Sequence, residues 1–148
     1  MTTNLSQTEQ GFTERIFLAG VIQLRLLIAD DSSVLRASLV EIFSRVEGIE
    51  VVGEAQDVPE ALASIRALQP DVVVLDIQMP GGCGIDVLRE VKRDYPKTIV
   101  IMLTNHLEPQ YRQGCAQLGA NYFLSKSTDS KLLIEIAEHL AAAKGTTR

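Results

Sequence analysis

The side chains best suited to chemistry in this sequence of 148 residues each follow the end of a short apolar run. They are Asp30 and Asp31 after the first run, Asp76 after the third, Thr104 after the fourth and Lys126 after the fifth. If these runs are parallel strands, three carboxylates, a hydroxyl and an ammonium meet at one edge of a sheet. Carboxylate oxygens are ligands that Mg²⁺ prefers, and a carboxylate can also accept a phosphoryl group.

A cluster of carboxylates is unfavourable without a cation. Two carboxylates about 4 Å apart repel each other by about 4 kcal/mol at an effective dielectric near 20. The sequence therefore predicts a Mg²⁺ site at Asp30, Asp31 and Asp76. Metal binding alone would not call for Thr104 and Lys126. Phosphoryl transfer to an aspartate would use both, because the charge on the transferred oxygens must be neutralised.

The apolar runs are predicted strands that alternate with segments of helical periodicity. Continuously apolar central strands are typical of a parallel sheet that is covered by helices on both faces. The predicted fold class is α/β, a doubly wound five-stranded parallel sheet with five helices. The predicted strands are residues 24–29, 49–55, 72–75, 99–103 and 121–124.

Residue types also predict where the helices begin and end. Asp57 is a predicted N-cap, and Pro70 ends the helix that follows it. Pro109 begins the fourth helix and Gly119 ends it. The fifth helix is predicted at residues 127–143.

Composition excludes several classes of protein. The net charge of -5 argues against direct nucleic-acid binding, which needs clustered Lys and Arg. Cys83 and Cys115 form no CxxC pair, which opposes a zinc or thioredoxin-type site. The apolar run at residues 16–22 is too short to span a membrane. We therefore expect a cytoplasmic protein without membrane insertion.

Four motifs occur in an order and spacing that resemble the receiver domain of two-component response regulators. They are LLIADDS at residues 26–32, VVVLDIQMPGG at 72–82, IVIMLT at 99–104 and GANYFLSK at 119–126. The resemblance covers about residues 24–143 and implies a flavodoxin-like receiver fold. It further implies a stand-alone protein with a flexible extension at 1–22, a receiver domain at 23–144, a short tail at 145–148 and no output domain.

The resemblance implies a role for each carboxylate. Asp76 corresponds to the phosphoacceptor. Asp31 is expected to bind Mg²⁺ directly and Asp30 through water. The backbone carbonyl of Gln78 is expected to be a further ligand.

The resemblance also assigns the residues around the phosphoacceptor. Thr104 would bind the phosphoryl group and Lys126 would pair with it. Thr104 and Phe123 would move together as a switch. Gln78 and His106 would tune the lifetime of the acyl phosphate.

The function implied is a phosphorylation-activated switch rather than an enzyme with a separate substrate. A sensor histidine kinase or a histidine phosphotransfer protein would donate the phosphoryl group. Phosphorylation would then change the face formed by the fourth helix, the fifth strand and the fifth helix. A downstream protein target would read that face, through which two copies could also pair.

Two alternatives stay open. The chain could be an interaction module that works without phosphorylation, or the receiver part of a truncated DNA-binding regulator. An aspartate-nucleophile phosphohydrolase is disfavoured because Ile77-Gln78-Met79 follows the aspartate, and a dinucleotide-binding domain lacks its GxGxxG. Ser127 stands where the family often has proline, so a trans bond is expected before it.

Overall fold

Parallel strands form the centre of the structure, a computed structural model that describes residues 23–146. The sheet of five strands has the order β2-β1-β3-β6-β7, and all of its pairings are parallel. This confirms the predicted sheet, although β6 and β7 both end one residue later than predicted. The strands are β1 (Leu24–Ala29), β2 (Ile49–Ala55), β3 (Val72–Leu75), β4 (Gln78–Met79), β5 (Gly82–Cys83), β6 (Ile99–Thr104) and β7 (Tyr122–Ser125).

Five helices cover the two faces of this sheet, as predicted for a doubly wound fold. One buried cluster joins the sheet to the first and last helices through Phe43 and Leu133, and a second joins it to the other three. Alternate residues of each central strand enter opposite clusters, because successive side chains of a strand point to opposite faces. The helices are α1 (Ser33–Ser44), α2 (Val58–Leu68), α3 (Gly84–Asp94), α4 (Pro109–Gln117) and α5 (Ser130–Thr146).

The predicted helix boundaries hold for α2 but not for α5. Asp57 caps α2, since its Oδ1 accepts a hydrogen bond of 2.8 Å from the Glu60 backbone. The prediction that the fifth helix spans residues 127–143 is wrong at both ends. Residues 126–128 form a turn closed by Asp129, whose Oδ2 accepts from the Ser125 backbone at 2.7 Å. At its other end α5 continues to Thr146.

Part of the expected tail is helical, since residues 145 and 146 belong to α5. The predicted extension at residues 1–22 and the last two residues of the tail lie outside the described part of the chain. The bond between Lys126 and Ser127 is trans, as predicted. Within residues 23–146 no helix has the length and apolar composition needed to cross a membrane.

A short antiparallel hairpin follows the third strand and was not predicted. Strands β4 and β5 pair Gln78 with Cys83 and Met79 with Gly82. The turn places Gly81 at φ +82°, a conformation that side chains with a Cβ rarely adopt. Gly81 and Gly82 therefore allow the chain to reverse direction shortly after β3 and Asp76.

We predict that the two cysteines differ in reactivity. Cys115 is fully buried in α4, and burial raises the pKa of its thiol, to which the nearby Cys83 adds a smaller effect. Cys83 is only half-buried. A chromogenic disulfide reagent should therefore modify one thiol per folded chain and both thiols in denaturant. The Cys83→Ala variant should show no fast-reacting thiol, and rapid modification of that folded variant would contradict this packing of α4.

Candidate functional site

Three carboxylates meet at the carboxyl edge of the sheet. Ala29 of β1 and Leu75 of β3 are paired, so the residues that follow them, Asp30 and Asp76, are neighbours. Both of these aspartates are buried, whereas Asp31 is exposed. One ligand atom from each carboxylate lies within 4.8 Å of the others. The structure thus brings together the three predicted carboxylates.

Lys126 lies between the two buried carboxylates. Its Nζ is 2.6 Å from Asp30 Oδ2 and 2.8 Å from Asp76 Oδ2. The Lys126 backbone N–H donates to the Thr104 carbonyl at 3.0 Å, which continues the pairing of β6 and β7 by one residue. The lysine is therefore held at both ends, at its backbone by β6 and at its ammonium by the carboxylates.

The environment of Lys126 favours the charged ammonium. Burial, the largest single influence, acts to lower its pKa. The hydrogen bonds and negative charges of Asp30 and Asp76 act in the opposite direction and together prevail, so the pKa of Lys126 lies above its ordinary value. Lys126 is consequently a cation at neutral pH.

Backbone N–H groups hold the other oxygens of the two buried carboxylates. Asp30 Oδ1 accepts from the Ser32 N–H at 2.9 Å, and Asp76 Oδ1 accepts from the Ile77 N–H at 2.7 Å. These hydrogen bonds orient both carboxylates, because rotation of either side chain would break a bond to the backbone. Ser32 also caps α1 through its hydroxyl, so the acidic pair itself does not cap this helix.

Asp31 faces a cavity of about 530 Å³ beside the buried carboxylates. Carboxylate oxygens on one side of a polar cavity fit a hard divalent cation such as Mg²⁺, which binds oxygen ligands and retains several waters. The exposed Asp31 is the carboxylate best placed to meet an ion that enters from solvent. The cavity is lined by Asp31, Asp76, Gln78, Met79, Pro80, Asn105, His106 and Lys126.

Within residues 23–146, the side chains of the two predicted switch residues make no hydrogen bond to the carboxylates or to the Lys126 ammonium. Thr104 is fully buried at the end of β6, and its Oγ1 accepts from the His106 N–H at 3.0 Å. Phe123 is half-buried on β7 beneath Arg112, whose guanidinium carbon lies 4.6 Å from the ring centroid. A cation over an aromatic face is attractive, so Arg112 stabilises this position of Phe123.

Gln78 and His106, which both line the cavity, are hydrogen-bonded to each other through their side chains. Gln78 Oε1 and His106 Nε2 are 2.5 Å apart, and the His106 ring meets the edge of Tyr111 at a centroid distance of 5.9 Å. The structure thus brings together the two residues predicted to tune the acyl phosphate. Both residues line the same cavity as Asp76.

Gly84 is a site residue that the sequence analysis missed. Its N–H donates to the Ile77 carbonyl at 2.6 Å, and a Cβ added here would lie 1.8 Å from the Asp76 carbonyl oxygen. The first turn of α3 therefore packs directly on the backbone of Asp76. The signal available in the sequence was a glycine at the start of a helical pattern, where only close approach to another segment favours glycine.

The comparisons with known proteins agree with this geometry. Residues 26–138 match the family model described as response regulator receiver domain. The chain belongs to this family. The fold of this receiver domain is shared with solved receiver domains of the family.

Individual relatives show how far the likeness extends. YhcZ of Bacillus subtilis, an uncharacterised transcriptional regulatory protein, is 34% identical over 112 residues, which cover 76% of this chain and 52% of YhcZ. The receiver domain thus spans about half the length of the curated relatives it matches.

Among solved structures, the response regulator domain of Thermotoga maritima CheB is 28% identical with a TM-score of 0.72, covering 85% of this chain and 98% of that one. A chain of the Borrelia burgdorferi CheX-CheY-BeF3-Mg²⁺ complex is 30% identical with a TM-score of 0.73. That match covers 80% of this chain and 90% of the other.

We predict that Gly84→Ala destabilises the receiver domain. The new methyl group would overlap the Asp76 carbonyl, so the backbone must move, at a cost of about 2 kcal/mol or more. Urea unfolding followed by circular dichroism measures this change. Gly114→Ala in α4 is the matched control, because no atom lies within 4 Å of the added methyl. That variant should gain roughly 0.5 kcal/mol from helix propensity, and equal stabilities of the two variants would contradict the close approach.

Proposed function

We propose that this receiver domain is a phosphorylation-activated switch in which Asp76 accepts a phosphoryl group from a phosphohistidine of a partner protein. The observation that carries the proposal is the meeting of Asp76 with Asp30, Asp31 and Lys126 at one polar cavity. A cation site and an ammonium beside the accepting carboxylate are what phosphoryl transfer to that carboxylate requires, and of the two buried carboxylates only Asp76 also lines the cavity. Family membership supports the same function.

In the proposed transfer, an oxygen of Asp76 forms a bond to phosphorus while the P–N bond of the phosphohistidine breaks. The electron pair of the broken bond returns to the imidazole of the donor. Lys126, already 2.8 Å from Asp76, pairs with an oxygen of the arriving phosphoryl group, and the Thr104 hydroxyl donates to another. Water later attacks the phosphorus, which releases inorganic phosphate and restores the carboxylate.

Mg²⁺ is the proposed cofactor. It would neutralise the carboxylates and the phosphoryl oxygens during transfer. Asp31 and Asp76 would hold it directly, Asp30 through water, and the Gln78 carbonyl as a further ligand. The solved Borrelia burgdorferi complex that contains a similar chain also contains Mg²⁺ and BeF3, which supports Mg²⁺ as the cofactor.

The proposed output is a change in the face formed by α4, β7 and α5. Thr104 would move toward the phosphoryl group, and Phe123 would follow into the space beneath it. Phe123 must then leave the Arg112 guanidinium, so the change also alters a charged group on α4. A downstream protein, or a second copy of the domain, would bind the changed face.

A second candidate is that this chain is the receiver part of a DNA-binding regulator. It is favoured by relatives such as YhcZ, which is described as a transcriptional regulatory protein and is about twice as long as the matched region. The two candidates agree on Asp76 and differ in what reads the switch. The cytoplasmic location expected from the sequence is part of either proposal.

We predict that the wild type gains the mass of one phosphoryl group when it is incubated with Mg²⁺ and acetyl phosphate. Asp76→Asn should gain none, because an amide oxygen is a poor nucleophile. Intact-protein mass spectrometry measures the gain. Asp86→Asn, which changes an exposed aspartate of α3, is the matched control and should be modified like the wild type. An unmodified wild type, under conditions that modify another receiver domain, would contradict the proposal.

We predict that replacing both Gln78 and His106 by alanine shortens the lifetime of the acyl phosphate. The joined side chains line the cavity that Asp76 also lines, so their removal enlarges it and gives water freer access to the phosphorus. We expect the half-life to fall on the order of threefold, equivalent to about 0.7 kcal/mol in the barrier. Loss of the phosphoryl mass with time measures it. Gln113→Ala, on the exposed side of α4, is the control, and an unchanged half-life in the double variant would refute this role.

A further inference from the structure

Arg36 connects α1 to the backbone of the acidic pair. Its Nη1 donates to the Asp30 carbonyl at 2.7 Å, and its Nε donates to Glu54 Oε1 of β2 at 3.1 Å. Only 14% of the Arg36 side chain is exposed. The guanidinium therefore has a fixed position beside the candidate cation site. Arg36 does not line the cavity and is not one of the three clustered carboxylates.

The carbonyl that Arg36 binds belongs to the peptide that joins Asp30 to Asp31. The other side of Asp30 is also held, because its N–H donates to the Ala55 carbonyl at 2.9 Å. Its carboxylate binds the Ser32 N–H and Lys126. Every polar group of Asp30 thus has a partner, and the Arg36 bond is the one that sets the plane of the peptide leading to Asp31.

The direction of the Asp31 side chain depends on this peptide plane. The hydrogen bond holds the peptide plane, and the direction of the Asp31 Cα–Cβ bond relative to that plane is set by φ of Asp31, the one soft angle between them. Asp31 lines the cavity and is exposed, so the packing that fixes the side chains of Asp30 and Asp76 does not hold it. The backbone is consequently the main constraint on where this carboxylate points.

We propose that Arg36 is a positioning residue for the cation site. Its side chain fixes the peptide between Asp30 and Asp31, so that Asp31 faces the cavity. The inference rests on the Mg²⁺ site of the proposed function. If Arg36 has this role, a positively charged side chain strengthens the binding of a divalent cation. Outer partners that orient metal ligands commonly change metal affinity by about 10-fold to 100-fold when they are removed.

A purely electrostatic role for Arg36 makes the opposite prediction. A positive charge near a cation site repels the ion, so its removal would tighten binding. Glu54 offsets part of this repulsion, since it pairs with the guanidinium. The sign of the change in Mg²⁺ affinity therefore distinguishes positioning from electrostatics.

The test is Mg²⁺ titration of the whole chain by isothermal calorimetry, without any phosphodonor. Arg36→Met keeps the length of the side chain but removes the donor and the charge, and we expect it to weaken Mg²⁺ binding on the order of tenfold. Arg36→Gln, whose amide ends at the position of Nε and so falls short of the Asp30 carbonyl, should weaken Mg²⁺ binding to a similar extent. Glu54→Gln is the matched control and should change the affinity by less than about twofold, because its amide oxygen can still accept from Nε.

The outcomes separate this inference from the proposed function. Binding as tight as that of the wild type, or tighter, in Arg36→Met overturns the positioning role, and Arg36→Gln serves the same comparison if Arg36→Met does not fold. Circular dichroism of the metal-free variants establishes folding. Absence of Mg²⁺ binding by the wild type overturns the cation site itself, and with it the proposed function.

Discussion

Repulsion among three carboxylates at one edge of a sheet is the constraint on which the rest of this site depends. Two of them are buried, where water screens their charges least, so a positive group must lie within hydrogen-bonding distance. Lys126 meets this requirement for Asp30 and Asp76 together. Among residues 23–146 Asp31 has no such cation, and it is the carboxylate that remains exposed. The site therefore keeps negative charge only where solvent or a bound cation can stabilise it.

The strand order explains why a lysine meets this requirement. Asp30 and Asp76 follow neighbouring strands, so their carboxylates are close without long side chains. Lys126 follows β7, which is separated from β3 by β6. Neighbouring strands lie about 4.8 Å apart, so the ammonium must reach across roughly two such spacings to contact Asp76. A long side chain whose backbone is tied to Thr104 makes this reach reproducible.

The sequence predicted the sheet and the meeting of the acidic residues because both follow from local patterns combined with parallel topology. Arg36 and Gly84 were missed because their contacts do not follow from the ends of the predicted strands. Arg36 reads as an ordinary helical surface residue, since its contact with Glu54 lies 18 positions away. The close approach of Gly84 depends on a hairpin of two-residue strands, too short to leave a periodic signal. The fifth helix was started too early because Asp129 binds back to Ser125, and the turn between them interrupts the helical pattern.

The charge at the site also orders the proposed events. Three carboxylates and one ammonium leave a local net charge of minus two, and a phosphoryl group that approached this site alone would meet a negative surface. A bound divalent cation brings the local charge to zero, so the phosphoryl group then enters a neutral site that already contains an ammonium.

Conversion of the Asp76 carboxylate to an acyl phosphate adds negative charge again, which the Lys126 ammonium must balance. Lys126 is bonded to Asp30 as well as Asp76, so a phosphoryl oxygen competes with Asp30 for the same ammonium. The proposed function therefore requires the cation to bind before the phosphoryl group, and it makes Asp30 the residue whose interactions change most directly on phosphorylation.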